Sequence, residues 1–123
     1  MNWRAVILGA AILTAAAPMR ASDRLVLKVS PVVSYAPANL VVRATVEANT
    51  DNRSIEIVAE SADFYRSSEM SLDGDRAPRT TMFEFRSLPI GDYQVRAILR
   101  GVSGKELASI QSQINVVGES SGF

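Results

Sequence analysis

Apolar and polar residues alternate with a period of two over six stretches of this chain, the pattern of half-buried β-strands. Residues 24–30 place Leu25, Leu27 and Val29 on one face, and Pro31 ends the strand. Residues 39–47 place Leu40, Val42, Ala44 and Val46 inward, with Val41, Arg43, Thr45 and Glu47 outward. Ile55, Ile57 and Ala59 share a face of 54–60, and Phe83 and Phe85 share a face of 80–86. Tyr93, Val95, Ala97 and Leu99 then alternate with Asp92, Gln94, Arg96 and Arg100. In the last stretch Ala108, Ile110, Ser112, Ile114 and Val116 oppose Ser109, Gln111, Gln113 and Asn115, an outward face without charge. Beyond the N-terminal segment no helical period is present.

The connections carry turn chemistry. Residues 49–53, Asn-Thr-Asp-Asn-Arg, are residues whose short polar side chains bond their own backbone and tolerate left-handed conformations. The strands on either side form a hairpin, or the chain crosses there to a second sheet; both arrangements bury the same residues. Residues 32–37 are apolar but flanked by Pro31 and Pro37, which predicts an edge segment or a connection. Gly101-Val102-Ser103-Gly104 predicts a hairpin turn. Residues 61–79 are the least regular, with Phe64 and Tyr65 as aromatic anchors and a short edge strand expected at Met70 and Leu72.

The stretch that organises these elements is Leu88-Pro89-Ile90-Gly91-Asp92-Tyr93. Its Pro and Gly make a corner, and Tyr93 opens the following strand two residues past Gly91. A Gly-x-Tyr corner of this kind is similar to the tyrosine corner of immunoglobulin-like sandwiches, whose phenol bonds back to backbone a few residues upstream. With the preceding Phe83-Glu84-Phe85, the segment resembles two sets of domains. One is the bacterial immunoglobulin-like and fibronectin type III group; the other is the carboxypeptidase-regulatory-like, transthyretin-like group. The resemblance implies an all-β, seven-stranded Greek-key immunoglobulin-like β-sandwich, with Gly91 and Tyr93 as its structural corner. Two antibody hallmarks are missing: cysteine is absent, and the only Trp is Trp3.

Before the first strand, Met1-Asn2-Trp3-Arg4 is followed by residues 5–17, whose only polar member is Thr14. Those 13 residues would span about 20 Å as a helix, short of a hydrocarbon core of roughly 30 Å. Charge, a short apolar run and small residues are the plan of a secretory signal. The expected organisation is therefore a signal peptide and helix over 1–21, a sandwich over 22–117 and a mobile tail over 118–123, with the signal cleaved after Ala21 or retained as an anchor. Export normally permits disulfides, yet with no cysteine the core alone must hold the fold. The expected localisation is periplasmic or extracellular.

Basic and acidic residues number 13 each, and without Arg4 and Arg20 the balance is 11 against 13. A weakly acidic domain argues against nucleic acid or an anionic membrane as the main partner. With no His and no Cys the chain lacks an imidazole base, a thiolate and the common zinc ligands, so no catalytic residues and no cofactor are expected. Asp73 and Asp75 are the closest acidic pair, either ordinary turn residues or part of a calcium site with Glu60, Asp63 and Glu69 nearby. Asn52-Arg53-Ser54 matches the N-glycosylation triplet, and a turn explains it equally. Phe64, Tyr65 and Arg66 are residue types favoured at interface hot spots; the alternative is a segment tucked over the open end of the sandwich. Two functions follow as expectations. One is a non-enzymatic module binding another envelope or extracellular protein through 63–75 or the uncharged face of the last strand. The other is a small-ligand or carbohydrate-binding domain using Phe64, Tyr65 or Tyr35.

Overall fold

The computed structural model describes residues 20, 21 and 24–118. The expected signal helix over residues 1–19 and the tail beyond Gly118 lie outside the described residues. Arg20 and Ala21, assigned above to the signal, form a short strand. Two such residues pair with Val26 and Leu25, so the helix expected over 1–21 does not extend to its last two positions.

Nine strands are present among the described residues: β1 (Arg20–Ala21), β2 (Leu25–Ser30), β3 (Val33–Tyr35), β4 (Ala38–Val46), β5 (Ser54–Glu60), β6 (Tyr65–Ser71), β7 (Thr80–Leu88), β8 (Gly91–Arg100) and β9 (Glu106–Val117). They form two sheets, one ordered β1-β2-β4-β7 and the other β3-β9-β8-β5-β6. Every pairing is antiparallel except that of β3 with β9. The apolar faces read from the alternation meet between the sheets. Leu25, Leu27, Leu40, Val42, Ala44, Val46, Phe83 and Phe85 come from the first sheet. Ile55, Ile57, Ala59, Tyr93, Val95, Ala97, Leu99, Ile110, Ile114 and Val116 come from the second. Phe83 and Phe85, both buried, contribute roughly 2 to 3 kcal/mol each by leaving water.

The connection after β4 crosses to the second sheet; β4 and β5 do not pair. Its cause is visible in the hydrogen bonds of the turn. Asn52 is fully buried and its Nδ2 donates to the Glu47 carbonyl at 3.0 Å. The Arg53 amide donates to the Arg100 carbonyl at 2.9 Å, and the Leu72 amide to the Arg53 carbonyl at 2.7 Å. The Arg53 backbone is thus already bonded to the second sheet through Arg100 ahead of β5, which leaves no ladder back to β4.

Residues 61–79 depart most from expectation. In place of a short edge strand at Met70 and Leu72, β6 is a seven-residue strand paired with β5 along its length. All seven residues of β6 are exposed. None of its side chains is buried, so burial imposes no alternation on them, and along its length the strand is held by its ladder with β5. Leu72, just past its end, is buried.

Between β7 and β8 the chain changes sheets through Pro89 and Ile90 alone. The Tyr93 hydroxyl donates to the Pro89 carbonyl at 2.7 Å, and Tyr93 is 1% exposed. Gly91 stands at a close approach, since a Cβ there would lie 3.2 Å from Ser61 Cβ and 3.4 Å from Tyr93 Cε1. Tyr93→Phe should lower unfolding free energy by roughly 1 to 3 kcal/mol, because the Pro89 carbonyl then loses its partner. Urea unfolding of both proteins measures this, and an unchanged midpoint would show that the hydroxyl does not hold the corner.

Candidate functional site

From the corner, contacts lead outward to the free edge of the second sheet. The Phe64 ring meets Tyr93 edge to face, with centroids 6.1 Å apart and planes at 74°. The Arg66 guanidinium lies 5.1 Å from the Phe64 centroid, within cation–π range. Its Nη1 also donates to the Arg86 carbonyl on β7 at 3.0 Å, so it ties the two sheets together. Phe64 and Arg66 therefore belong to the closure of the sandwich, as in the tucked-segment alternative. Tyr65, 58% exposed, is the one of the three that is free at the surface.

The hydrogen-bond phase of β6 follows from its two ends. The Ser61 amide donates to the Phe64 carbonyl at 2.8 Å, and Leu72 donates to Arg53. With a period of two, Phe64, Arg66, Ser68, Met70 and Leu72 turn their backbone groups toward β5. Tyr65, Ser67, Glu69 and Ser71 turn theirs away, toward solvent. The segment from Asp63 to Asp75, expected as a contact loop, thus presents four residues' worth of unpaired edge backbone.

The remaining candidates separate. Asp73 and Asp75 are exposed and flank the start of a short 3₁₀ turn, Gly74–Arg76, in which the Asp73 carbonyl accepts from the Arg76 amide. Among the described residues no three acidic, His or Cys side chains gather as a metal-ligand set. Asn52 is 0% exposed, which removes the glycosylation reading. The outward face of β9 is not the continuous uncharged surface expected. Its Gln111 lies beside Arg96 and its Asn115 beside Asp92, and Asn115 Nδ2 donates to Asp92 Oδ1 at 2.6 Å. Tyr35, 62% exposed, sits on β3 at the opposite edge of the sheet from Tyr65. Two further residues escaped the alternation: Val58 and Ile98 point outward yet are buried. Val58 is in register with Arg96 and Ser67, and Ile98 with Glu56 and Ser109, and Arg100 Nη2 lies 3.2 Å from Glu56 Oε1. The signal was the unbroken apolar runs Ile57-Val58-Ala59 and Ala97-Ile98-Leu99.

The class defined by this architecture is an all-β protein of two facing sheets. No protein-family model and no curated protein matches the chain. Among solved structures it is similar to a superoxide reductase (neelaredoxin) from Ignicoccus hospitalis, with TM-score 0.56 and 13% identity over 82% of each chain. It is also similar to a family 76 glycoside hydrolase from a bovine Bacteroides thetaiotaomicron strain, with TM-score 0.56 and 16% identity. That match covers 77% of this chain and 20% of the hydrolase. At these identities the likeness is one of fold.

Burial pushes the Tyr93 hydroxyl above its ordinary value of 10.0, against smaller opposing effects of a Ser61 hydrogen bond and the Arg66 charge. The unfolded chain therefore releases this proton first. The stabilisation is complete below about pH 10 and is lost as pH rises through the higher native value. The urea midpoint should accordingly fall more steeply above about pH 10 in the native protein than in Tyr93→Phe. Parallel curves would show an unperturbed phenol.

Proposed function

We propose that this chain is an exported, non-enzymatic immunoglobulin-like module that binds another envelope or extracellular protein by accepting one of its strands along β6. The observation that carries the reading is the free edge of β6, seven exposed residues with the backbone groups of Tyr65, Ser67, Glu69 and Ser71 directed outward. Such an edge takes an extended peptide by main-chain hydrogen bonding, with alternate side chains giving specificity.

The other edges are partly covered: β3 pairs with Asn115, Val116 and Val117 at the end of β9, and β1 pairs with Leu25 and Val26 at the start of β2. On β7 a bulge interrupts the edge opposite Asn39, where Ser87 has φ 59° and its amide is held by Asn39 Oδ1 at 3.2 Å. β6 has no bulge or proline, and its charged side chains are Arg66, which lies over Phe64, and Glu69. The immunoglobulin-like reading rests on the two-sheet order together with the corner. Its seven longer strands divide three and four; β6 pairs with β5, whereas the fourth strand of a constant-type domain would pair with β7. The transthyretin-like sandwich is the alternative. Export rests on Met1-Asn2-Trp3-Arg4 and the short apolar run that follows.

A carbohydrate platform has less support. Phe64 is spent on Tyr93, and Tyr35 and Tyr65 stand at opposite edges of a five-stranded sheet, about 19 Å apart at about 4.8 Å per strand. The test exploits the hydrogen-bond phase. Ser67→Pro removes an outward amide and no bond to β5, so it should cost less than about 1 kcal/mol. Ser68→Pro removes an inward amide and should cost about 3 kcal/mol or more. In a cross-linked pull-down from envelope and culture fluid with the tagged chain, one near-stoichiometric partner is expected, and it should be lost with Ser67→Pro. A partner retained by Ser67→Pro would overturn edge binding.

A further inference from the structure

The outward face of the first sheet carries a charge arrangement that the fold does not require. Lys28 on β2 and Arg43 on β4 are direct cross-strand partners. Both are exposed on the same face, and like charges placed directly opposite destabilise a sheet. The neighbouring carboxylate is Glu84, in register with Val41 on β7. It is engaged by Arg86, whose Nη2 lies 3.2 Å from Glu84 Oε1. Arg43 Nη2 instead reaches the Met82 thioether at 3.6 Å, a weak acceptor for a guanidinium. Among the described residues, neither cation of the pair has an ionic partner.

These two side chains line a concavity of about 340 Å³ together with Ser30 and Val41. Ser30 and Val41 are also direct partners, two residues along the same two strands and so on the same face. Two cations, a hydroxyl and an apolar wall therefore surround one space. A guanidinium and an ammonium side by side suit a polyvalent oxyanion: the guanidinium offers a planar fork and the ammonium a point charge. The hydroxyl adds a donor, and the Val41 wall accommodates an organic arm.

From this geometry we infer that the Lys28, Ser30, Val41 and Arg43 concavity is a binding site for a phosphate or sulfate ester. An occupying oxyanion removes the repulsion between Lys28 and Arg43 that the empty sheet bears. The site lies on the sheet remote from β6 and is independent of the edge-binding reading.

The test is an NMR titration of the ¹⁵N-labelled full chain with inorganic phosphate and with inorganic sulfate, against chloride at matched ionic strength. Saturable shifts are expected at the amides of Lys28, Ser30, Val41 and Arg43 with one common dissociation constant. Lys28→Gln combined with Arg43→Gln should weaken binding by at least about tenfold, while the melting temperature holds or rises because the like-charge pair is gone. Lys105→Gln, on the β8–β9 connection of the second sheet, should leave the dissociation constant unchanged. Chloride shifts of equal size, shifts spread over all basic residues, or a double variant that binds as before would each overturn the site and leave an adventitious ion only. Sedimentation with phosphatidylglycerol vesicles identifies the carrier. Vesicle binding lost in the double variant supports a lipid headgroup, and phosphate binding without vesicle binding supports a soluble ester.

Discussion

The change of sheet between β7 and β8 is made by Pro89 and Ile90 alone, and the rest of the molecule depends on how that corner is held. A proline at this position has no amide to satisfy, but its carbonyl still needs a donor. Tyr93 supplies one from a ring that is itself part of the core, so a single side chain both fills the space between the sheets and fixes the crossing. Gly91 eases this, because a Cβ there would press on Ser61 at 3.2 Å and touch the Tyr93 ring at 3.4 Å. From there Phe64 leans on Tyr93, Arg66 lies over Phe64, and the Arg66 guanidinium returns to the Arg86 carbonyl of β7. The entry to β6 is thereby referred back to the corner through three side chains.

The sheets have four and five strands, and β6 is the strand of the larger whose side chains are all exposed. That inequality has an energetic consequence. A strand with one paired side and no buried face gains only its ladder and the few contacts at its ends, which places it at the low end of local stability within the fold. It also leaves β6 free to gain from a partner what the fold does not provide. Its anchoring by Phe64 and Arg66 at one end and Leu72 at the other keeps the strand extended, so an incoming peptide meets an ordered edge and loses less entropy on binding.

Most of the sandwich was legible because its strands have one buried face. Leu40-Val42-Ala44-Val46, Phe83-Phe85 and Tyr93-Val95-Ala97-Leu99 are inward as their alternation implies. β6 was illegible for the same physical reason: a strand without a buried face carries no alternation, and Tyr65–Ser71 read as loop. The route after β4 was open because the turn residues 49–53 fit a hairpin and a crossing alike; the deciding contacts, Asn52 to Glu47 and Arg53 to Arg100, are long-range or depend on tertiary burial. Of Phe64, Tyr65 and Arg66, Tyr65 alone remained at the surface outside the contacts that close the sandwich. The Lys28–Arg43 pair was hidden for a different reason. Each residue is an unremarkable outward position on its own strand, and only register sets them opposite one another.

The two outward features would act by different physics and through different sheets. Backbone pairing along β6 is short-range and directional, so added salt should change it little. The attraction at Lys28 and Arg43 is between exposed charges and is screened over about 8 Å at physiological ionic strength. With facing sheets about 10 Å apart, the charge state of one outward face is largely invisible to the edge of the other. The two therefore combine additively, as independent sites do. A partner docked on β6 and an oxyanion held on the first sheet can be present together without either altering the other's affinity, unless one ligand is large enough to reach both.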